Sequence, residues 1–151
     1  MSASDDMLEL LATGALDVLQ IPLSILHPDS AREVLAEARA PDVGVVLREP
    51  LANGYLTGAF DERTRFGVDD QRALWPRERH LLHVRKARAL EFLVRPGRSL
   101  AQPGVSTVIP GSANREQLAW NLAASDVPPL SEGELARVAE LQRTNFGLPV
   151  G

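Results

Sequence analysis

Apolar runs and amphipathic stretches alternate along the first third of the chain. The run "DVLQIPL" at 17–23 is aliphatic with a polar interruption at Gln20, and "VGVVL" at 43–47 is a second run of this kind. Short apolar runs bounded by turn residues are typical of strands buried on both faces of a parallel sheet. The segment "AREVLAEARA" at 31–40 has helical spacing. The order strand, helix, strand therefore predicts a right-handed parallel unit.

The other predicted elements follow from capping residues and apolar spacing. A short helix over 5–13 has Ser4 as its N-cap and Gly14 as its stop, and Ser30 caps the helix at 31–40. Ser131 and Glu134 have the capping-box spacing. The remaining predictions are a long irregular stretch from 50 to 76, a helix over 77–94, a third buried strand at 104–109, and helices at about 114–124 and 131–144.

Composition narrows the class of protein. The chain has 151 residues, of which 44% are hydrophobic and 24% charged, so we expect one globular domain over 1–151. A net charge of −4 disfavours a nucleic-acid surface, and the absence of cysteine excludes disulfides and thiolate sites. The acidic start of the chain and the lack of a long apolar run predict a cytoplasmic protein without membrane contact.

Three parallel strands define the predicted architecture. The fold class is α/β, a partial (β/α) barrel with about three parallel strands and flanking helices. Three strands cannot close a barrel, which takes eight strands and about 250 residues in the (β/α)8 form. Open edges of a parallel sheet invite association, so we expect a homodimer or a partner chain that covers these edges.

The segment "VSTVIPGSANREQLAWN" at 105–121 carries the first chemical signal. It reads as a strand end, a turn with Gly111 and Ser112, and a helix start at Asn114. Free amides at a helix N-terminus attract anions, so this turn is suited to a phosphate-bearing cofactor. The alternative is that Gly111 makes only a turn and that Ser112 or Asn114 only caps the helix.

Polar side chains also follow the second predicted strand. Arg48 and Glu49 end this strand, and Asn53 and Tyr55 follow in a glycine-containing loop. Ligands of parallel α/β folds lie at the carboxyl ends of strands, so these groups are candidates for binding or catalysis. The alternative is a solvated loop in which Arg48 pairs with Glu49.

The three histidines do not form a metal-binding pattern. His80 and His83 lie one helical turn apart, but no third ligand follows at a fixed spacing, so no metal site is predicted. His27 follows the first strand. His27, Glu49 and Tyr55 are therefore the candidate acid–base residues.

Four ordered segments resemble the last part of the aldo-keto reductases. They are "VLQIPLSIL", "VLREPLANGYLTGAF", "GVSTVIPGSANREQLAWNL" and "LSEGELARV", and the resemblance runs from about residue 8 to the end. Aldo-keto reductases are (β/α)8 barrels that reduce carbonyls with NADPH. The resemblance therefore implies a half-barrel and NADP(H) as cofactor.

The resemblance also implies which residues hold the nicotinamide half of the cofactor. Gln20 corresponds to the glutamine that contacts the nicotinamide carboxamide. The segment from Pro50 through Leu51 and Asn53 to Gly58 corresponds to the loop along the pyrophosphate.

A second group of residues corresponds to the adenosine end. Gly111, Ser112 and Asn114 match the pocket for the adenosine ribose and its 2′-phosphate. Gln117 and Asn121 match positions that face the phosphate and the adenine.

The departures from the family pattern concern catalysis. The family's catalytic Asp, Tyr, Lys and His lie in the first half of the barrel, and Tyr55 and Lys86 are not in equivalent motifs. After "GRSLAQ" at 97–102 the helix that should cover the last strand is shortened, because Pro103 and Gly104 follow at once. Trp120 stands where the family commonly has a polar or acidic residue.

Three functions are compatible with this pattern. The first is an NADP(H)-linked carbonyl oxidoreductase whose catalytic groups come from a partner chain or symmetry mate. The second is a repurposed non-redox biosynthetic enzyme, such as a cyclase, isomerase or dehydratase, in which cofactor binding has been lost. The third is a binding partner without chemistry.

Overall fold

A computed structural model describes residues 3–39, 42–93, 107–126 and 128–149 of the chain. Its strands are β1 (Val18–Pro22), β2 (Gly44–Arg48) and β3 (Thr107–Ile109). Its α-helices are α1 (Ala3–Ala12), α2 (Asp29–Arg39), α3 (Arg77–Ala89), α4 (Arg115–Ala123) and α5 (Glu132–Arg143). Short 3-10 turns lie at Tyr55–Thr57, Gln71–Leu74, Glu91–Leu93, Ala124–Asp126 and Asn145–Gly147.

The three strands form one parallel sheet in the order β1, β2, β3, which confirms the predicted strand direction. Gln20 pairs with Val46, and Val46 pairs with Thr107. At the other end of the register, Arg48 lies between Pro22 and Ile109. The carboxyl ends of all three strands therefore reach the same edge of the sheet.

The strands are buried on one face only, and the prediction of burial on both faces is wrong. Leu19 and Ile21 of β1 are buried, whereas Val18 is 59% exposed and Gln20 is exposed. Side chains alternate between the two faces of a strand, and the described helices cover the face of Leu19 and Ile21. An aliphatic run shows that the side chains of a strand are apolar. It does not show whether other elements cover one face of the strand or both. The uncovered face, here called the open face, carries Val18, Gln20, Val46, Thr107 and Ile109.

The covered face packs against α1 and α2. Leu11 of α1 and Val34 and Ala38 of α2 form one apolar cluster with Ile21 and Val45. Val34 and Ala38 lie four positions apart and share one side of α2. This cluster holds the strands in register and so aligns their carboxyl ends.

The irregular stretch from 50 to 76 forms part of a second apolar cluster. Tyr55 is 1% exposed, and its ring lies 5.3 Å from that of Phe60 and 6.2 Å from that of Trp75. Gly54 precedes it with φ of 89°, and a Cβ there would lie 3.2 Å from the Phe60 ring. The sharp turn that buries Tyr55 therefore requires glycine at position 54.

The helix ends test the predicted caps. α1 begins at Ala3 and α2 at Asp29, so Ser4 and Ser30 lie inside their helices and their prediction as N-caps is wrong. The capping box of Ser131 and Glu134 is confirmed. Both misplaced helix starts fall within two residues of the predicted ones, the range in which helix ends fray. The start of the predicted third strand and the shortened helix after 97–102 lie outside the described residues.

Candidate functional site

A cleft lies at the carboxyl ends of β1 and β2. Its volume is about 80 Å³. Its polar lining consists of Ser24, His27, Glu49, Asn53, Arg79 and His83. The loops after β1 and β2 supply the first four of these side chains, and α3 supplies the last two. The structure thus brings two of the three predicted acid–base residues, His27 and Glu49, into one cleft.

The loop after β2 positions Glu49 through unusual backbone geometry. Glu49, Ala52 and Asn53 all have positive φ, at 60°, 48° and 57°. Non-glycine residues adopt this left-handed region at an energetic cost, and such positions cluster at functional sites. The Glu49 carboxylate pairs with Arg48 and accepts a hydrogen bond of 3.2 Å from Nδ2 of Asn53. The alternative pairing of Arg48 with Glu49 is thus present, and it occurs at the wall of the cleft.

A 3-10 turn fixes Asn53 in this loop. Arg72 donates from Nη1 to the Asn53 carbonyl oxygen at 2.8 Å, and Gln71 donates from Nε2 to Asn53 Oδ1 at 3.3 Å. Asn53 is therefore held at both its backbone and its side chain. Its amide group in turn orients Glu49.

His27 and His83 form a hydrogen-bonded pair in the cleft. The His83 Nδ1 lies 2.7 Å from the Arg79 carbonyl oxygen, which can only accept, so this nitrogen carries the proton. The His83 Nε2 is then an acceptor, and it lies 3.1 Å from Nε2 of His27, which donates. With both rings neutral, one proton lies between the two Nε2 atoms and each ring has a partner in the cleft.

The surroundings favour the neutral form of both rings. Desolvation of the ring where it lies in the cleft is the main cause that lowers the pKa of His27 from 6.5 to about 4, and electrostatic interactions with His83, Lys86 and Arg79 lower it further. Burial also lowers the pKa of His83, which is 4% exposed. Both rings are therefore mainly unprotonated near neutral pH, and neither is suited to act as a general acid there.

Tyr55 lies in the interior and not in the cleft. Its hydroxyl lies 2.9 Å from Nδ1 of His80, and Nε2 of His80 lies 2.9 Å from the Asp61 carbonyl oxygen. That carbonyl requires the proton on Nε2, so Tyr55 donates to Nδ1. Burial raises the pKa of Tyr55. The structure therefore places Tyr55 in the interior with its hydroxyl bonded to His80, and does not bring it together with His27 and Glu49.

Sequence reasoning did not identify Arg79 and His83 as site residues. The Arg79 guanidinium lies 3.9 Å from the centre of the Trp75 ring, and Arg79 lines the cleft. The available signal was the spacing of four residues between Arg79 and His83, which places both on one side of α3. Which side of α3 faces the cleft depends on tertiary packing.

The turn before α4 presents polar groups to solvent. Asn114 caps the helix, since its Oδ1 accepts from the Gln117 amide at 2.9 Å. Gln117 Oε1 accepts from the Ala113 amide at 2.7 Å, and Asn121 Nδ2 donates to Ser112 Oγ at 2.8 Å. Asn114 therefore has the capping role that the sequence allowed.

The turn between β3 and α4 is open to solvent. A Cβ added at Gly111 would meet no atom within 4 Å, so the backbone there is open to a ligand. Ser112 is exposed and Asn121 half-buried beside it. A helix N-terminus next to exposed hydroxyl and amide groups suits a phosphate. The turn is therefore an accessible polar surface beside a helix N-terminus.

The residues predicted to hold the nicotinamide half of the cofactor lie farther apart than those predicted for the adenosine end. Gln20 lies on the open face, two strands from β3. Pro50 and Leu51 are half-buried in the loop after β2, where the Leu51 carbonyl accepts from the amides of Gly54 and Leu56. Leu51 therefore shapes this loop through its backbone, and Gln20 remains available to a ligand on the open face.

Two features are absent from the residues that the structure describes. No three or more of their His, Asp and Glu side chains are grouped so that they could hold a metal ion. None of their helices combines the length and the apolar character that a membrane crossing needs.

An open parallel α/β sheet with its polar groups at the carboxyl edge defines the class of this chain. The sequence model described as "Aldo/keto reductase family" matches residues 6–143. The chain belongs to the aldo/keto reductase family.

Known relatives are oxidoreductases and are longer than this chain. Uncharacterized oxidoreductases of Mycobacterium bovis and Mycobacterium tuberculosis are 29% identical over 123 residues, a match that covers 72% of this chain and 36% of the relative. The glycerol dehydrogenase of Gluconobacter oxydans is similar in structure, with a TM-score of 0.62 and 18% identity. That match covers 89% of this chain and 44% of the dehydrogenase, so the chain spans less than half the length of these proteins.

Proposed function

We propose that the chain is the cofactor-holding part of an NADP(H)-linked carbonyl oxidoreductase. The observation that carries this proposal is the exposed turn at Gly111 and Ser112, which lies at the same edge of the sheet as the cleft of His27 and Glu49. Family membership supports the oxidoreductase class. NADP(H) as the cofactor, and a second polypeptide as the source of the proton donor, are the new parts of this proposal.

The chain's own residues bind and orient the cofactor in this proposal. Ser112 and Asn121 hold the adenosine end, with Asn114 keeping the helix start in place. Asn53 and the neighbouring backbone guide the pyrophosphate toward the open face, and Gln20 orients the nicotinamide amide there. When bound, NADPH supplies the hydride for reduction of a carbonyl.

A second polypeptide supplies the proton in this proposal. Reduction of a carbonyl requires a proton donor beside the reacting oxygen. Tyr55 is buried and bonded to His80, and the pKa values of His27 and His83 are lowered. None of these groups is placed to act as the acid, so we assign the acid to a partner chain or a second copy that covers the open face.

The experiment is a titration of the chain with NADPH, monitored by tryptophan fluorescence. Trp120 is adjacent to Asn121 and 55% exposed, so NADPH at the turn will quench its emission. We expect saturable quenching below about 1 mM, which corresponds to a binding free energy of about −4 kcal/mol. Asn121→Ala should weaken binding about tenfold, since one hydrogen-bonding group is lost.

Two controls make this titration specific. Asp69→Ala changes an exposed side chain distant in sequence from the turn and should leave the dissociation constant unchanged. Trp120→Phe leaves Trp75, which stacks on Tyr55, as the remaining source of emission and should abolish the quenching signal. Quenching that Asn121→Ala leaves intact, or the absence of saturable binding, would refute the proposal.

The cleft favours one second candidate, a non-redox enzyme that uses Glu49 as a base. The observation behind it is the convergence of a carboxylate, a neutral imidazole and the Arg79 cation on one small cleft. Such a site has groups for proton abstraction and for binding an anionic substrate. Failure of NADPH to bind, together with a folded chain, would favour this candidate over the first.

A further inference from the structure

Helix α4 exposes apolar side chains to solvent. Leu118 is 50% exposed and Leu122 is 68% exposed. These leucines lie four positions apart and therefore share one side of the helix. An isolated helix of nine residues is marginal in water, so α4 gains stability from whatever covers these leucines.

Opposite charges stand at the two ends of this apolar patch. The Ala124–Asp126 turn continues from α4, with Ala124 in the right-handed helical region. At about 100° per residue in α4 and 120° in the 3-10 turn, Arg115, Leu118 and Leu122 fall within about 60° around the helix axis, and Asp126 lies within about 120° of Leu118. Arg115 and Asp126 are both exposed, and neither has a salt-bridge partner in the part of the chain that the structure describes. We call Arg115, Leu118, Leu122 and Asp126 the α4 stripe.

We propose that the α4 stripe is the docking surface for a second copy of this chain, with the two α4 helices antiparallel about a two-fold axis. The axis passes near the middle of the stripe, between positions 120 and 121. Arg115 of each copy then faces Asp126 of the other, and the four leucines meet between these two ion pairs. A two-fold interface uses the same patch on both copies, as this arrangement does.

Charge order favours a second copy in this orientation. A stripe that runs from positive through apolar to negative is complementary to itself when reversed, whereas a parallel pair would place like charges together. Opposite charges across an interface fix its register and orientation. Burial of the four leucines supplies the attraction, at roughly 25 cal/mol for each Å² removed from water.

The α4 stripe is separate from the proposed cofactor site. At about 100° per residue, Gln117 and Asn121 lie about 120° and 80° around the helix axis from the mean direction of the two leucines. The stripe and the proposed cofactor site therefore use different side chains of α4. The inference stands without the proposed function, and the two can fail independently.

Sedimentation velocity over a concentration series of the full chain tests this inference. We expect a monomer–dimer equilibrium that Leu122→Glu abolishes. R115D and D126R should each weaken the dimer about tenfold, because two attractive pairs become repulsive. Val68→Glu is the matched control, since Val68 is 95% exposed and lies outside the stripe.

Mixing the two charge variants gives the decisive result. A chain with R115D and a chain with D126R regain both ion pairs when they pair with each other, as does the double variant with itself. We expect the mixture to form a heterodimer as tightly as the original homodimer. Circular dichroism checks that each variant is folded. A strictly monomeric chain, or a dimer insensitive to both charge reversals, would overturn the inference.

Discussion

At the residue scale, backbone hydrogen bonds set the tautomers of two histidines. Backbone carbonyls of Arg79 and Asp61 fix the proton position on His83 and His80. His27 and Tyr55 then donate to the remaining nitrogens. A proton added at His83 Nε2 would reverse the direction of its hydrogen bond with His27. Desolvation makes the charged forms of His27 and His83 less stable than in water.

Acid should destabilise the chain through His27 and His83. The pKa of His27 is lowered from 6.5 to about 4 in the folded chain, and that of His83 is also lowered. Below pH 6.5 the unfolded chain binds more protons than the folded one. The free energy of unfolding therefore falls as the pH drops from about 6.5 toward 4, by at most about 1.4 kcal/mol per pH unit for each extra proton. His27 is exposed and contributes less than buried His83.

Urea unfolding at a series of pH values measures this dependence. His83→Gln replaces the buried imidazole with a side chain that does not titrate. We expect a lower free energy of unfolding at pH 8 in this variant, and a smaller loss between pH 7 and pH 5 than in the original chain. An identical slope in both chains would assign the acid sensitivity to other groups.

The sequence predicts the secondary-structure elements better than it predicts how these elements pack on one another. The three strands, the parallel direction and the α5 cap follow from local patterns and are confirmed. The burial of β1 on both faces is wrong, because the strand's own residues do not report which layers pack on it. Arg79 and His83 line the cleft because of the way α3 packs in the tertiary structure. The apolar periodicity of the helix does not predict which of its sides faces the cleft. Local sequence patterns thus predicted site residues in the loops after β1 and β2, but not the site residues of α3.

The capping box should contribute measurably to the stability of α5. Ser131 Oγ accepts from the Glu134 amide at 3.3 Å, and Glu134 Oε2 accepts from the Ser131 amide at 2.8 Å. Ser131→Ala removes the first of these bonds and should lower the free energy of unfolding by about 1 kcal/mol. Ser131→Asn retains a capping oxygen and is the matched control. Equal loss in both variants, measured by urea unfolding, would show that the cap itself is not the cause.

The open face is the main feature of the whole molecule. The longer relatives belong to the same family, and this chain matches 36% of the mycobacterial oxidoreductases. Within the described residues, helices cover one face of the sheet, and Val18, Gln20, Thr107 and Ile109 of the other face are exposed. An exposed apolar face on a sheet is an association surface. The open face is therefore where we expect the partner of the proposed oxidoreductase to bind.

Two substitutions in the same strand separate folding from association. Ile21 is 1% exposed on the covered face, so Ile21→Ala should cost about 2–5 kcal/mol of unfolding free energy. Val18 is 59% exposed on the open face, so Val18→Asp should change the stability of the isolated chain by about 0.5 kcal/mol or less. The same Val18→Asp chain should fail to bind a partner that covers the open face, because an unpaired carboxylate would be buried there. Urea unfolding measures the first two effects, and co-sedimentation with the partner measures the third. A large loss of stability in the isolated Val18→Asp chain would mean that this face is already covered, and the open face would then not be a docking surface.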